Sequence, residues 1–193
     1  MDNPIGSEMW DKCRIEGAPP EGLLCYGVKF SADNSTVSLS VCVKPKVGPS
    51  FIECVENRSM ASGIGWLVDW LTARKGRAAQ IIIDGKSGAQ TLIERLLESG
   101  VSRTAIIAPS TRDVIAACRS RLNAVKEKTV CQAGQPGMTA SATLSQKRRI
   151  GTDGGWGFGS TADADSTIIE SAALAFWAAQ VTKRDPERKA KVF

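Results

Sequence analysis

The chain has 193 residues, 42% of them apolar, which is enough for one domain with a sizeable core, or at most a domain and a small appendage. It carries 25 Lys and Arg against 20 Asp and Glu, a net charge of +5, with six cysteines and no histidine. Lacking histidine, it has no Ser-His-Asp or Cys-His catalysis, histidine-based nuclease chemistry or imidazole zinc site, so any hydrolysis must use carboxylates, lysines or metals held by oxygen.

Residues 1–21 read as an irregular lead-in punctuated by Pro4, Gly6, Gly17, Pro19 and Pro20, with Trp10 and Cys13 available to pin it to a surface; a domain is expected over 22–193. Leu23 to Phe30 is apolar and β-prone, and Ser31 to Ser35 (SADNS) follows as a turn. Thr36 to Val43 alternates Val37, Leu39, Val41 and Val43 with Ser38, Ser40 and Cys42, the period of a strand. Gly48-Pro49 makes another turn, and a third strand begins at Ser50. Three strands joined by short turns predict an antiparallel meander.

Ile64, Leu67, Val68 and Leu71 then recur at helical spacing up to Gly76. A strand over Gln80 to Asp84, a helix from Ala89 closed by Gly100, a strand over Arg103 to Ala108 and a helix capped by Thr111 follow. Alternating strand and helix implies parallel pairing through right-handed crossovers. Residues 129–164 are less regular, with a possible ribbon between TVCQAG and GTDGGWGFGS. The final helix is expected from a Thr167/Glu170 capping box to about Lys183, burying Ile169, Ala172, Ala173, Phe176 and Trp177.

No apolar run approaches a membrane span, and MDNPIGSEMW lacks the layout of a signal peptide; the expectation is a soluble chain with no membrane partner, not exported by that route. The six cysteines stand singly with no C-x-x-C pair and read as reduced core thiols.

Gly85-Lys86-Ser87 ends like a phosphate-binding loop, but the first glycine of that motif would fall at Gln80, inside a strand. Asp84 stands at the carboxyl end of a parallel strand, where ligands collect in open α/β sheets, or it simply starts the turn. Asp163 and Asp165 precede the last helix, and one of them can serve as its cap. Carboxylates from distant parts of a chain with oxygen-only ligands suit magnesium or manganese, and two such ions can activate water at a phosphodiester.

The order of parts resembles the RNase H-like fold, and more narrowly the nuclease domain of the tailed-bacteriophage terminase large subunit. The residues that carry the resemblance are Tyr26-Gly27-Val28-Lys29-Phe30-Ser31, Ile83-Asp84-Gly85, Gln135-Pro136 and Gly154-Gly155-Trp156-Gly157-Phe158, followed by Asp165 and an Ala-rich helix. They span most of residues 23–190. The resemblance implies a mixed five-stranded sheet, antiparallel then parallel, flanked by helices, with a β-ribbon insertion before the last helix. It implies a metal-dependent endonuclease that cuts concatemeric double-stranded DNA with two Mg2+ or Mn2+ ions during viral genome packaging in the bacterial host cytoplasm. Implied partners are the terminase ATPase domain, the small terminase subunit and the portal protein. No complete Walker motif is present, so the motor half would lie outside this chain, with residues 1–21 as its lead-in.

By position, Asp84 is the acid of the fourth strand and Asp165 that of the last helix, with Asp163 as neighbour. The departure is Lys29, which stands where many such nucleases place an aspartate. Asp33 lies four residues on, roughly 13 Å along the sheet, and reaches the site only through a bend or bulge. Lys29 then contacts phosphate, or a metal-depleted site cuts slowly or not at all. Lys147, Arg148 and Arg149 on the ribbon are candidate phosphate contacts or a solvated hairpin. The charged tail, 183–191, is a frayed helix end or a portal contact. The rival to the nuclease is a catalytically impaired RNase H-like module that binds DNA or docks to the motor and portal, and Lys29 is the residue that favours it.

Overall fold

The computed structural model describes residues 3–188. The meander forms as expected: β1 (Leu23–Phe30), β2 (Thr36–Lys44) and β3 (Ser50–Ser59) pair antiparallel. β4 (Ala78–Asp84) joins β1 in parallel, and β5 (Ile106–Ile107) joins β4 in parallel. The sheet has six strands rather than five, because β6 (Val130–Cys131) adds in parallel to β3, giving the order β5-β4-β1-β2-β3-β6. Only two residues of the expected strand from Arg103 to Ala108 pair; Arg103–Ala105 instead make a 3-10 turn.

Both faces of the sheet are covered. One face buries Tyr26, Val28, Phe30, Leu39, Ile81 and Ile83 beneath α2 (Gly65–Thr72) and α3 (Lys86–Glu98). On the other, Cys25, Cys42, Ile52 and Ile82 lie beneath α1 (Ser7–Asp11), α4 (Thr111–Glu127), α5 (Pro136–Leu144) and α6 (Thr167–Val181). Each fully buried Ile, Leu or Phe in these layers contributes about 1.5–3 kcal/mol. The alternation along β2 therefore separates two interiors, with Val37 and Leu39 facing one and Ser38 and Ser40 the other. The serines are satisfied by α6: Ser38 Oγ is 2.9 Å from Thr167 Oγ1, and Ser40 Oγ is 2.7 Å from Ser171 Oγ.

α6 lies close on β1 because residue 27 has no side chain. A Cβ there would stand 2.1 Å from the Ser171 carbonyl oxygen and 2.8 Å from the Ala175 amide nitrogen. After β4 the chain reverses at Gly85, with φ of 129° and room only for hydrogen against Phe30. α3 then starts at Lys86, earlier than Ala89, because this glycine takes the turn and frees the next residues for the helix.

The irregular region contains α5, with Pro136 in its first turn. The ribbon pairs β7 (Gln146–Ile150) with β8 (Gly155–Gly159), whereas Val130–Cys131 of TVCQAG goes to the main sheet. Ser110, not Thr111, caps α4, in a reciprocal box with Asp113. All six cysteines are free, five of them buried, and burial pushes the Cys25 and Cys118 thiols up to about 12, consistent with unreactive core thiols.

Near the amino terminus, Ile5, Trp10 and Cys13 are buried in the core, with Trp10 and Cys13 against α4 and α5. Arg121 of α4 is wholly buried with its guanidinium 5.1 Å from the centre of the Trp10 ring, and its three side-chain nitrogens find no hydrogen-bond partner among the described residues. Of the charged tail only 183–188 is described; Arg184 Nε donates to the Ala79 carbonyl at 3.0 Å, and residues 189–191 lie outside the described residues.

Candidate functional site

Parallel pairing of β1 with β4 sets Lys29 opposite Asp84, both on the face that α6 covers. The Lys29 ammonium lies 2.6 Å from Asp84 Oδ2, and only 13% and 21% of the two side chains are exposed. Asp84 does not cap α3, which has no side-chain cap. Lys29 also pairs in register with Ser38, and Ser38 with Asn57. Asp84, Lys29, Ser38 and Asn57 thus form one row across four strands, about 14 Å from end to end at the usual strand spacing.

The first turn of α6 lies over this row. At the Asn57 end, Asp165 Oδ2 receives the Asn57 amide at 3.4 Å, while its Oδ1 receives the Thr167 amide at 2.9 Å and the Thr167 hydroxyl at 2.8 Å. Asp165 therefore holds the start of α6 through Thr167, from one position before the N-cap, Ser166. The row puts it over β2 and β3, away from Asp84, with Lys29 and Ser38 in the registers between. The hydrogen bonds of Asp165 are with Asn57 and Thr167, and that of Asp84 is with Lys29.

The buried carboxylate of α6 is Glu170. The Thr167/Glu170 capping box does not form, because Thr167 donates to Asp165 and Glu170 turns inward. Its oxygens accept from Arg148 Nη2 at 2.9 Å and Ser166 Oγ at 3.1 Å. Burial pushes the Glu170 carboxyl up, and the charges of Lys29 and Arg148 and the two hydrogen bonds pull it back down. Asp84 with Lys29 and Glu170 with Arg148 make two ion pairs of no net charge. Glu170 escaped the sequence reading because an acid in a first helical turn looks like capping; the available signal was a lone carboxylate within an otherwise buried Ala-rich segment.

Asp33 and Asp163 lie elsewhere. β1 ends at Phe30, and Asp33 stands in the following turn with Oδ1 accepting from Ser31 and Ser35. The Ser35 and Ser31 hydrogen bonds hold its carboxyl down at about 2. The bulges of the sheet fall at Leu24/Cys25 and Leu39/Ser40, and neither redirects Asp33 to Lys29. Asp33, Asp163 and Asp165 line one open cleft of about 660 Å³, while Asp84 lines a separate groove of about 510 Å³ with Lys86, Gln90 and Arg103.

On β7 the basic run divides by direction. Arg148, its side chain 42% exposed, donates from Nε to the Phe158 carbonyl at 2.8 Å and pairs with the buried Glu170. Lys147 and Arg149 belong to the exposed side of the ribbon: the Lys147 ammonium is 5.2 Å from the Trp156 ring centre, and Arg149 Nη2 donates to the Thr152 carbonyl at 3.1 Å. Phe158 is core, and half-buried Trp156 meets it edge-on at 5.5 Å.

These residues do not fit a pair of divalent ions. Such a centre needs several converging oxygen anions. Here Asp84 is neutralised by Lys29 and Glu170 by Arg148, while Asp165 is engaged by a helix start. Among the described residues no three His, Cys, Asp or Glu side chains converge closely enough to hold an ion.

No family model matches the chain, and no curated protein matches it in sequence. Solved structures do match in fold. The HK97 bacteriophage large terminase superposes with a TM-score of 0.70 at 12% identity over 92% of this chain, which spans only 43% of that protein. The large terminase nuclease of thermophilic phage G20c gives 0.65 at 16% identity, covering 91% of this chain and 98% of that one. The human cytomegalovirus terminase nuclease domain, soaked with manganese and inhibitor-bound, gives 0.58 at 7% identity over 91% of this chain and 94% of its own. The G20c nuclease has also been solved with bound magnesium and with bound cobalt. The chain therefore has the mixed α/β, RNase H-like fold of terminase nuclease domains.

Proposed function

We propose that this chain is the nuclease-fold module of a terminase that packages double-stranded DNA, and that it engages DNA without hydrolysing it through divalent ions. The observation that carries the second half is the 2.6 Å Lys29–Asp84 ion pair at the carboxyl ends of β1 and β4. An ammonium against the strand-end carboxylate leaves no anionic pair to orient a water against a phosphodiester. The chain's own residues there bind one another: Lys29 holds Asp84, and Arg148 holds Glu170 and anchors the ribbon.

The DNA-engaging half is supported by the likeness to terminase nucleases and by the exposed Lys147 and Arg149 on β7. Phosphate contacts of this kind add affinity that falls with salt. On this reading the partners are a terminase ATPase domain, the small subunit and the portal, met in the host cytoplasm. Among the described residues no helix is long and apolar enough to cross a membrane.

A second reading, hydrolysis of concatemeric DNA by two Mg2+ or Mn2+ ions, is favoured by the magnesium-bound and manganese-soaked neighbours. It would recruit Asp84 with Asp165, Asp163 or Asp33, and requires Lys29 to leave Asp84.

Supercoiled plasmid incubated with the protein and Mg2+ or Mn2+, beside Asp84→Ala, separates the two. The expected result is no nicking above a protein-free control, together with DNA retention in gel shift that weakens between 50 and 200 mM salt by about an order of magnitude for two phosphate contacts. Lys147→Ala with Arg149→Ala should remove most of that salt dependence. Metal-dependent nicking that Asp84→Ala abolishes overturns the non-hydrolytic reading, and no DNA retention at 50 mM salt overturns the DNA-engaging one.

A further inference from the structure

The Lys29–Asp84 pair occupies a distinctive place. It lies where two parallel strands end, is largely buried, and sits beneath a helix that adds a second carboxylate, Glu170. Asp84 is met there, across the β1–β4 register, by a cation supplied by the chain itself. Lys29 cannot be a free phosphate contact in this arrangement, since its ammonium is held by Asp84 and its side chain is 13% exposed. Nor is it a surface ion pair of little consequence, because two carboxylates with little water around them require compensation close by.

We infer that the Lys29 ammonium is a built-in cation: it neutralises Asp84 and closes this strand-end carboxylate to divalent metal ions. This deepens the non-hydrolytic reading above and rests on it. The physical basis is competition for the same anions. A divalent ion entering beside Asp84 would have to displace an ammonium that is tethered, and therefore present at a high local concentration whatever the solution contains. It would also meet the positive charge of the Lys29 ammonium it displaced. Replacing Lys29 with aspartate reverses both conditions, leaving two carboxylates, at positions 29 and 84, side by side across the β1–β4 register. Oxygen anions in that number suit Mn2+ or Mg2+.

The test is Mn2+ binding to the DNA-free protein, followed by calorimetry and by the loss of the free-ion electron paramagnetic resonance signal. The wild type should show no binding that Asp84→Asn removes, and its melting temperature should not move with Mn2+. Lys29→Asp should bind Mn2+ at least tenfold more tightly than wild type, should melt higher when Mn2+ is added, and should lose both gains when Asp84→Asn is combined with it. If Lys29→Asp does not fold in the absence of metal, Lys29→Asn removes the cation without adding an acid, and it too should gain Asp84-dependent Mn2+ binding.

Either of two results overturns the inference. One is a wild-type protein that already binds Mn2+ through Asp84 as tightly as the Lys29 variants. The other is a folded Lys29→Asp protein with no gain over wild type. Both are read without DNA, so they stand apart from the plasmid and gel-shift outcomes: Mn2+ bound by the wild type without nicking sinks only the built-in cation, whereas nicking sinks the non-hydrolytic function itself.

Discussion

Two acidic regions lie under and beside the first turn of α6, and they solve the problem of negative charge in opposite ways. Beneath the helix, Asp84 and Glu170 are poorly hydrated, and each is matched by a cation, Lys29 and Arg148. Beside it, Asp33 and Asp163 stand around an open cleft with Asp165, and hydroxyls and backbone amides donate to the Asp33 and Asp165 carboxylates. The comparison teaches that acid count is a poor guide to a metal centre. The region with three carboxylates is held by loop hydrogen bonds, and the region where distant elements converge has its charge already balanced.

The largest effect should come from unbalancing the buried region. Lys29→Ala leaves the Asp84 carboxylate without its cation, and by analogy with other broken buried pairs should cost about 3 kcal/mol in urea unfolding. Combining it with Asp84→Leu should recover most of that loss, giving a coupling energy above about 1.5 kcal/mol. A purely additive double variant would mean the pair is incidental.

In the open region the effects should be smaller and unequal. Asp165→Ala removes the acceptor of the Thr167 amide and should cost about 1 kcal/mol, as lost helix caps do. Asp163→Ala, whose carboxylate caps nothing, should stay within about 0.5 kcal/mol. Equal losses at the two positions would erase the distinction drawn between them.

The two regions should also respond to pH with opposite sign. Hydrogen bonds hold Asp33 down at about 2, so its contribution is present above the ordinary 3.8 and is lost as pH falls through about 2. Burial raises Glu170, so its contribution is present below 4.5 and is lost as pH rises through the higher folded value. The stability difference between wild type and Asp33→Asn should therefore shrink on acidification below pH 3.8. That between wild type and Glu170→Gln should move against the wild type as pH rises above 4.5. Parallel slopes would place both acids in the same kind of environment.

Much of this was legible in the sequence. The meander could be read because β1 to β3 carry apolar residues bounded by SADNS and Gly48-Pro49, and the parallel half because helical and strand periods alternate. α5 was not legible: PGMTASATL is small and weakly contrasted, so no apolar stripe stands out, and only Pro136 in its first turn hints at a helix. β5 and β6 are two residues each, below what periodicity can resolve. At the site, Asp84 and Lys29 could be placed because both end recognisable strands, and their positions follow from register alone. Arg148 and Glu170 could not, since their meeting depends on a ribbon folding back against a helix 22 positions away. Asp165 drew attention as an acid before a helix, and the row of registers that separates it from Asp84 is a property of the sheet rather than of any segment.

The burial of Trp10 against Arg121 bears on how the protein should be handled in the laboratory. A clone beginning at Gly22 would look tidy by strand boundaries, yet it would strip Ile5, Trp10 and Cys13 from the interior and open a greasy trough over α4. Water reaching the Arg121 guanidinium would soften that injury without closing the trough, so such a clone should be prone to precipitate. The useful starting point for expression lies before Ile5.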